Sequence, residues 1–218
     1  MYSIKEAFYS LQGEGAHSGR PAVFCRFSGC NLWSGRERDR AGAVCDFCDT
    51  AFVGSDGQNG GKFRDADQLA RHLRSLWPTL NGPGIPYVIL TGGEPALQLD
   101  PALVDALHTQ GFEVAIETNG TRPLPQGIDW VCVSPKGNTE LVVTEGDELK
   151  LVYPQPQALP GRFDKMKFSH FYLQPMASVA GLAGQPGDET ALRSTIDYCL
   201  QHPQWRLSLQ THKMIGIE

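Results

Sequence analysis

A chain of 218 residues with 41% hydrophobic content has enough apolar material for one substantial core and is short for two domains. A net charge of −5 and the lack of any long Lys/Arg run argue against a nucleic-acid partner. No apolar run of about 18 residues is present to span a membrane, and the opening MYSIKEAFYS lacks the basic start and apolar stretch of a secretion signal, so a cytoplasmic location is expected.

Short apolar runs alternate with amphipathic stretches along the chain. Ile4–Tyr9 reads as an opening strand, and Ala22–Phe27 as the first core strand. Asp65 is placed to cap a helix over Ala66–Trp77. After a strand at Tyr87–Leu90, Asp100 and Pro101 form an N-cap and first helical residue, and Gly111 closes that helix after Gln110. Further strands are predicted at Glu113–Glu117, Trp130–Val133, Leu149–Tyr153, Phe171–Leu173 and Arg206–Leu209. Asp188 is placed to cap a helix reaching about His202, with Pro203 ending it. Gln157–Lys167 and Ser178–Gly187, rich in Pro, Gly and small residues, read as loops.

Strand and helix in repetition predict an α/β fold with a parallel sheet wrapped by helices. Helices are missing before Leu149 and around Val133, and a full eight-fold barrel needs about 250 residues, so an open or partial (β/α) barrel is expected. Five polar motifs follow strands: Thr91-Gly92-Gly93-Glu94-Pro95, Glu117-Thr118-Asn119-Gly120, Ser134-Pro135-Lys136, Gln174-Pro175-Met176 and Gln210-Thr211-His212-Lys213. In such folds ligands bind at the C-terminal ends of the strands, so these motifs are expected to line one rim.

The six cysteines divide into two sets. Cys25, Cys132 and Cys199 sit in strand-like or helix-like runs and read as small buried hydrophobes. Cys30, Cys45 and Cys48 form the pattern C-x14-C-x2-C on a loop that follows the first core strand. Three thiolates without a fourth suit an iron–sulfur cluster with one iron open to an external ligand. Structural zinc prefers four Cys or His ligands; His17 is the nearest candidate fourth, at a spacing unlike common zinc modules, and a lone C-x2-C also occurs in thioredoxin-like motifs.

The cysteine loop, TGGEP and LQGEG together resemble the radical S-adenosylmethionine enzymes, which usually carry C-x3-C-x2-C. The wide first gap, with FYSLQGEG, RPAVFCRFSGCNLW, CDFCDT, ETNG, VSPK, LQPM and LSLQTHK, resembles the 7-carboxy-7-deazaguanine synthase family over nearly the whole chain. The resemblance implies one radical S-adenosylmethionine domain over residues 1–218, an open barrel with fewer helices than a full one, and a cluster loop at about 28–50. It implies conversion of 6-carboxy-5,6,7,8-tetrahydropterin to 7-carboxy-7-deazaguanine with loss of ammonia, a lyase step toward 7-deazapurine nucleosides such as queuosine. A 4Fe-4S cluster on Cys30, Cys45 and Cys48 would chelate S-adenosylmethionine. One electron would release a 5′-deoxyadenosyl radical that takes hydrogen from C6 and later returns it, so the cofactor is regenerated.

The same resemblance implies roles for single residues. Phe47, Asp49, Gly93, Glu94, Ser134, Pro135, Lys136, Gln174, Pro175, Met176 and Ala177 would contact the cofactor. The family pattern has an acidic residue where this chain has Ala177, which leaves a backbone contact there. Leu11, Gln12, Gly13, Glu14, Arg26, Thr91 and the terminal Glu218 would contact substrate, and the Thr50 hydroxyl would bind Mg²⁺. Read from the residues alone, Gly92-Gly93 and Gln12–Gly15 are turns, Asp49-Thr50 a local side-chain turn, Arg26 a surface ion pair, and Glu218 a frayed end. Glu117 and Asn119 would face the adenosyl ribose or, read from the residues alone, act as capping or turn residues, and His212 reads as a packed or surface histidine.

Two other functions share parts of the pattern: a radical-generating activase acting on another protein, and a zinc- or iron-stabilised binding module without catalysis. The family resemblance implies a homodimer and an electron donor of flavodoxin type. Segment 31–44 is expected to need the cluster for order, since the cluster ligands anchor it.

Overall fold

Two antiparallel strands start the sheet and a run of parallel strands completes it. The computed structural model describes residues 1–78, 84–177 and 189–217. Strand β1 (Tyr2–Leu11) pairs antiparallel with β2 (Pro21–Phe27) on one side and with β3 (Gly61–Phe63) on the other. From β2 the sheet continues in parallel through β4 (Tyr87–Gly92), β5 (Glu113–Thr118), β6 (Trp130–Val133), β7 (Glu145–Tyr153), β8 (Lys167–Pro175) and β9 (Trp205–Leu207). Spatial order equals chain order from β4 onward, the winding of a (β/α) barrel, with β2 beside β4, but β3 and β9 remain as free edges. The expected open barrel is therefore present.

Helices α1 (Ala66–Leu76), α2 (Pro101–Thr109) and α3 (Glu189–Gln201) cover three of the crossovers. Among the described residues no α-helix lies between β5 and β8; a short 3-10 turn at Pro160–Arg162 is the helical element there. The caps fall as their chemistry requires. Asp65 Oδ1 accepts from the Gln68 amide at 2.8 Å, and Asp100 Oδ1 from Leu103 at 3.0 Å. Gly111, at φ +80°, takes the left-handed turn that ends α2.

Alternation along the strands decides the two faces of the sheet. Val23, Cys25, Val88, Leu90, Val114 and Ile116 point outward and pack against Leu69, Leu73, Leu103 and Leu107 of α1 and α2. Leu149, Leu151 and Leu173 join Phe163, Phe171 and Trp205 in a second apolar cluster. The opposite registers carry polar groups: Arg26 pairs with Thr91, Glu117 with Cys132, Cys132 with Glu148, and Glu148 with His170.

Several boundaries differ from the sequence reading. β3 was not predicted; three residues, Gly61-Lys62-Phe63, carry too short a pattern to read. α4 (Thr211–Ile215) occupies what reads as a polar post-strand motif, and Gly216 at φ +70° closes it. β7 begins at Glu145 and β8 at Lys167, because polar residues extend both strands beyond their apolar centres. Cys25 and Cys132 are buried as expected, whereas Cys199 is half-buried, since α3 seals off only Ala191 and Thr195. Asp188 and the loop Ser178–Gly187 lie outside the described residues.

The cysteine loop is locked to the rim by backbone. The Gly93 amide donates to Phe27 O at 3.0 Å and the Glu94 amide to Gly29 O at 2.9 Å. A Cβ on Gly93 would lie 1.9 Å from Gly29 O. The glycine that sequence reading assigns to close approach of a ligand is thus first required by the chain itself. Glu94 is fully buried; its carboxylate accepts from the Ala96 amide (3.0 Å), Thr118 Oγ1 (2.7 Å) and the Asn119 amide (2.8 Å). Asn119 Nδ2 then donates to Asn31 Oδ1 at 3.0 Å, carrying the lock into the cysteine loop.

Segment 31–44 has contacts that do not involve thiols. Arg40 Nη1 donates to the carbonyls of Asp46 (2.7 Å) and Cys48 (3.0 Å), Glu37 holds its other nitrogens, and its guanidinium lies 4.1 Å over the Trp33 ring. Trp33 packs edge-on against Phe52 at 5.5 Å. These contacts give the loop protein-borne anchors beyond those expected from its cluster ligands.

Two outcomes are expected. Glu94→Ala strips the acceptor from three donors, and at about 1–3 kcal/mol per orphaned buried group the loss should reach about 3 kcal/mol in urea unfolding of iron-free protein; a loss under about 1 kcal/mol would show that water replaces the carboxylate. Arg40→Met should raise amide exchange across residues 43–48 about tenfold in iron-free protein and lower iron loading. Unchanged exchange would show that Trp33 and Asn31 suffice.

Candidate active site

A cavity of about 410 Å³ opens at the rim where the strands end, and the cysteine loop forms one of its walls. Cys30, Cys45 and Cys48 all face it, with Phe47, Asp49 and Thr50 from the same loop. Gly93, Ser134, Lys136, Gln174, Pro175 and Ala177 supply the strand-end wall. Leu11, Gln12, Gly13, Glu14, Arg26 and Thr91 complete the enclosure from the hairpin side. Residues scattered over most of the sequence are brought together in one concavity. Three predicted contacts stand outside it: Glu94 is turned into the rim lock, Pro135 presents its carbonyl to Gln155 Nε2 at 3.4 Å, and the Met176 amide donates to Tyr153 O at 2.8 Å. Glu218 lies outside the described residues.

The thiols are free and inequivalent. A hydrogen bond from Cys45 pushes the Cys48 thiol down to about 6, while that same bond, with burial, pushes Cys45 up. Burial raises Cys30, partly offset by the amides of Leu32 and Trp33. Lys136 lies close enough to favour thiolate at both Cys45 and Cys48. The buried Trp33 Nε1 has no acceptor among the described residues, a costly state that a further acceptor in this wall would relieve.

Three thiols on one wall, an adjacent ammonium and room in front of them fit an iron–sulfur cluster with an open iron. Among the described residues no three His, Cys, Asp or Glu side chains converge as ligands of a single ion. His17, the candidate fourth zinc ligand, is committed elsewhere: Nδ1 lies 2.8 Å from Tyr87 Oη and the ring 4.1 Å from Trp130.

The floor opposite is ionic. Lys150 Nζ, on a residue only 4% exposed, donates to Glu14 Oε2 at 2.7 Å and Glu117 Oε2 at 3.0 Å. Glu14 Oε1 accepts from Gln174 Nε2 (3.1 Å) and Gln210 Nε2 (2.9 Å), and Glu117 Oε1 from Gln12 Nε2 (2.9 Å). Burial works to raise the Glu14 carboxyl, but Lys150 and the amide of Gln210 outweigh it and hold it down at about 2. Arg26 Nε lies 3.0 Å from Glu6 Oε1, yet without hydrogen-bonding geometry. The ion pair expected of Arg26 therefore exists, but at the wall of the cavity rather than on an open surface.

At the mouth, Asp49 Oδ2 accepts from Lys213 Nζ at 2.6 Å and Gln210 Nε2 at 3.3 Å. His212 is packed, as expected, so tightly on the hairpin that a Cβ on Gly13 would fall 2.1 Å from its Nδ1; burial lowers its pKa. Sequence reading did not single out Lys150; Gln210 and Lys213 belong to a motif it expected at the rim, and both line the cavity. The signal for Lys150 is its place between Leu149 and Leu151: when the flanking leucines face the core, the central lysine must face inward.

Residues 40–142 match the Radical SAM superfamily. The chain is 60% identical over 216 residues to a protein named 7-carboxy-7-deazaguanine synthase from Bordetella pertussis, and 57% identical to one so named from Burkholderia multivorans; each alignment covers 99% of both chains. The crystal structure of QueE from Escherichia coli superposes with a TM-score of 0.68 at 25% identity, covering 95% of this chain and 93% of that one. With full-length identity of this order and the cysteine wall facing the cavity, the chain belongs to the 7-carboxy-7-deazaguanine synthase family of the radical S-adenosylmethionine superfamily.

Proposed function

We propose that this protein converts 6-carboxy-5,6,7,8-tetrahydropterin to 7-carboxy-7-deazaguanine with release of ammonia, in 7-deazapurine biosynthesis. The observation that carries this reading is one cavity with three cysteines on one wall and carboxylates and an arginine around the remainder. A radical-initiating group and a small polar substrate suit those two regions. The cluster and S-adenosylmethionine, when bound, supply the radical chemistry that starts the rearrangement.

The chain's own residues hold, orient and shield. Cys30, Cys45 and Cys48 hold the cluster through three thiolates. Gly93, Ser134, Lys136, Gln174, Ala177, Phe47 and Asp49 line the cavity and would surround the cofactor, with Pro135 and Met176 shaping the backbone between them. The guanidinium of Arg26 matches a substrate carboxylate, and Glu14 accepts from the guanidine-like pterin edge. Leu11, Gln12, Gly13 and Thr91 fill the substrate side, and Glu218 belongs to the same role by family resemblance. Phe8, Phe24, Trp33 and Phe52 supply apolar walls that exclude water.

Mg²⁺ belongs to the same reading: Thr50 lines the cavity, and its hydroxyl would hold the ion, which would polarise substrate oxygens. Asp49 is already paired with Lys213, which leaves Thr50 as the open oxygen of that turn. The mouth is crossed by bonds from Gln210 to Glu14 and from Lys213 to Asp49, which suits a small substrate better than the protein substrate of an activase. The reading further includes residues 1–218 acting as one domain, a homodimer, a flavodoxin-type electron donor and a cytoplasmic location. Among the described residues no helix is long and apolar enough to cross a membrane.

Anaerobically reconstituted protein, given reductant, S-adenosylmethionine, Mg²⁺ and the pterin, should form 7-carboxy-7-deazaguanine by mass spectrometry without matching loss of cofactor. A brown, cofactor-cleaving protein that yields no product would discard the substrate. Thr50→Val should keep its iron but lose the response of the rate to added Mg²⁺; a response equal to that of wild type would remove Thr50 as the ligand.

A further inference from the structure

The cavity floor contains a buried lysine that the roles above leave unused. We propose that Lys150 is a positioning residue for the substrate: by bridging Glu14 and Glu117 it keeps two carboxylates side by side as acceptors for a ligand edge that carries adjacent N–H donors. The inference rests on the proposed pterin reaction and adds to it a second carboxylate and the cation that makes the pair possible.

The geometry favours this over a purely structural ion pair. Each carboxylate spends one oxygen on Lys150 and the other on side-chain amides, Glu14 on Gln174 and Gln210, Glu117 on Gln12. A carboxylate oxygen accepts more than one bond, so both groups retain acceptor capacity, and Glu14, Glu117 and Lys150 all line the cavity. The trio carries a net single negative charge, which suits a donor edge and repels a second carboxylate. That places the substrate's own carboxylate toward Arg26 and fixes which way round the ligand enters.

Lys150 sits among groups from every neighbouring element. Glu14 approaches from the hairpin after β1, Glu117 from β5 and Cys132 from β6, while Glu148 is two residues back on β7. Tyr172 is the register partner on β8, and His212 from α4 acts on Glu14. Without the ammonium, Glu14 and Glu117 become like charges in a shared half-buried site, where their repulsion favours uptake of a shared proton. A protonated member loses acceptor capacity and turns a donor toward the ligand's own donors.

The test is steady-state turnover of reconstituted holoenzyme between about pH 6 and pH 9. Lys150→Met should raise KM for the pterin about 10- to 100-fold with a much smaller change in kcat, and that KM should fall as pH rises and the shared proton leaves. Wild type, with the ammonium between the two carboxylates, should show no such trend. The double variant Lys150→Met/Glu117→Gln removes the like-charge pair and should lose the pH trend while KM stays high. Iron content and far-ultraviolet circular dichroism report whether each variant folds. If Lys150→Met does not load iron, Glu117→Gln decides: KM raised about tenfold without a pH trend supports the inference, and a wild-type KM overturns it. A folded Lys150→Met with the KM and pH profile of wild type overturns it as well, while leaving the proposed reaction intact. A wild-type protein that makes no product overturns both.

Discussion

The rim depends on one backbone interlock. Where β4 leaves the sheet, Gly93 and Glu94 pair with Phe27 and Gly29 at the end of β2, so the residues just before Cys30 are fixed to the next parallel strand. Only glycine tolerates the approach of Gly93 to Gly29 O. The Glu94 carboxylate then gathers donors from its own loop and from the end of β5. Position is thereby passed from the sheet to the cysteine loop without relying on the loop's own rigidity. Burying a carboxylate has a cost, seen in the upward pull of burial on the Glu94 pKa, and three donors offset it.

An open barrel leaves a gap that a closed one would not. With β3 and β9 unpaired to each other, the cavity cannot be enclosed by strands alone. Two irregular pieces enclose it instead. The cysteine loop is stiffened by Arg40 stacked on Trp33. The segment around α4 reaches across the mouth through Gln210 and Lys213 and is seated by the Thr211 amide on Gly13 O at 3.0 Å. The same residues that shape the site therefore substitute for missing barrel wall, while the helix-poor stretch from β5 to β8 packs Val133, Leu149, Leu151, Phe163 and Phe171 into an apolar cluster with Trp205 of β9 and Tyr198 of α3.

Much of this was legible because the signals were local. Asp65, Asp100 and Gly111 mark helix ends by short-range chemistry, and each acts as that chemistry requires. The apolar cores of the strands stood out because Val, Ile and Leu alternate or cluster there, and the polar motifs after them mark the rim. What stayed hidden was long-range. Neither the pairing of Glu14 with Lys150, which are 136 positions apart, nor the seating of His212 on Gly13 has a local signature. Glu94 shows the same limit: a glutamate after two glycines at a rim reads as ligand-facing, and only the folded chain shows Thr118 and Asn119 donating to its carboxylate. β3 escaped because three residues cannot display a period, and its pairing with β1 is set by register.

Charge bookkeeping around the cavity separates its two regions. Glu6 is matched by Arg26, Asp49 by Lys213, and Glu14 with Glu117 by Lys150. Lys136 also lines the cavity, yet among the described residues it pairs with no carboxylate; its ammonium donates to Ser134 Oγ at 2.6 Å and lies 5.7 Å over the Phe47 ring. Its field falls on Cys45 and Cys48, and also on the Glu94 carboxylate behind the rim. Three thiolates gathered in a half-buried wall repel one another, and a metal group with a carboxylate-bearing cofactor would add further negative charge. A lysine left without a carboxylate partner beside that wall offsets part of this repulsion. The other cations of the cavity wall are paired with carboxylates of the hairpin, the floor and the mouth, so the Lys136 face alone keeps uncompensated positive charge, in keeping with the proposed place of the cluster and cofactor there and of the substrate at the Lys150 face.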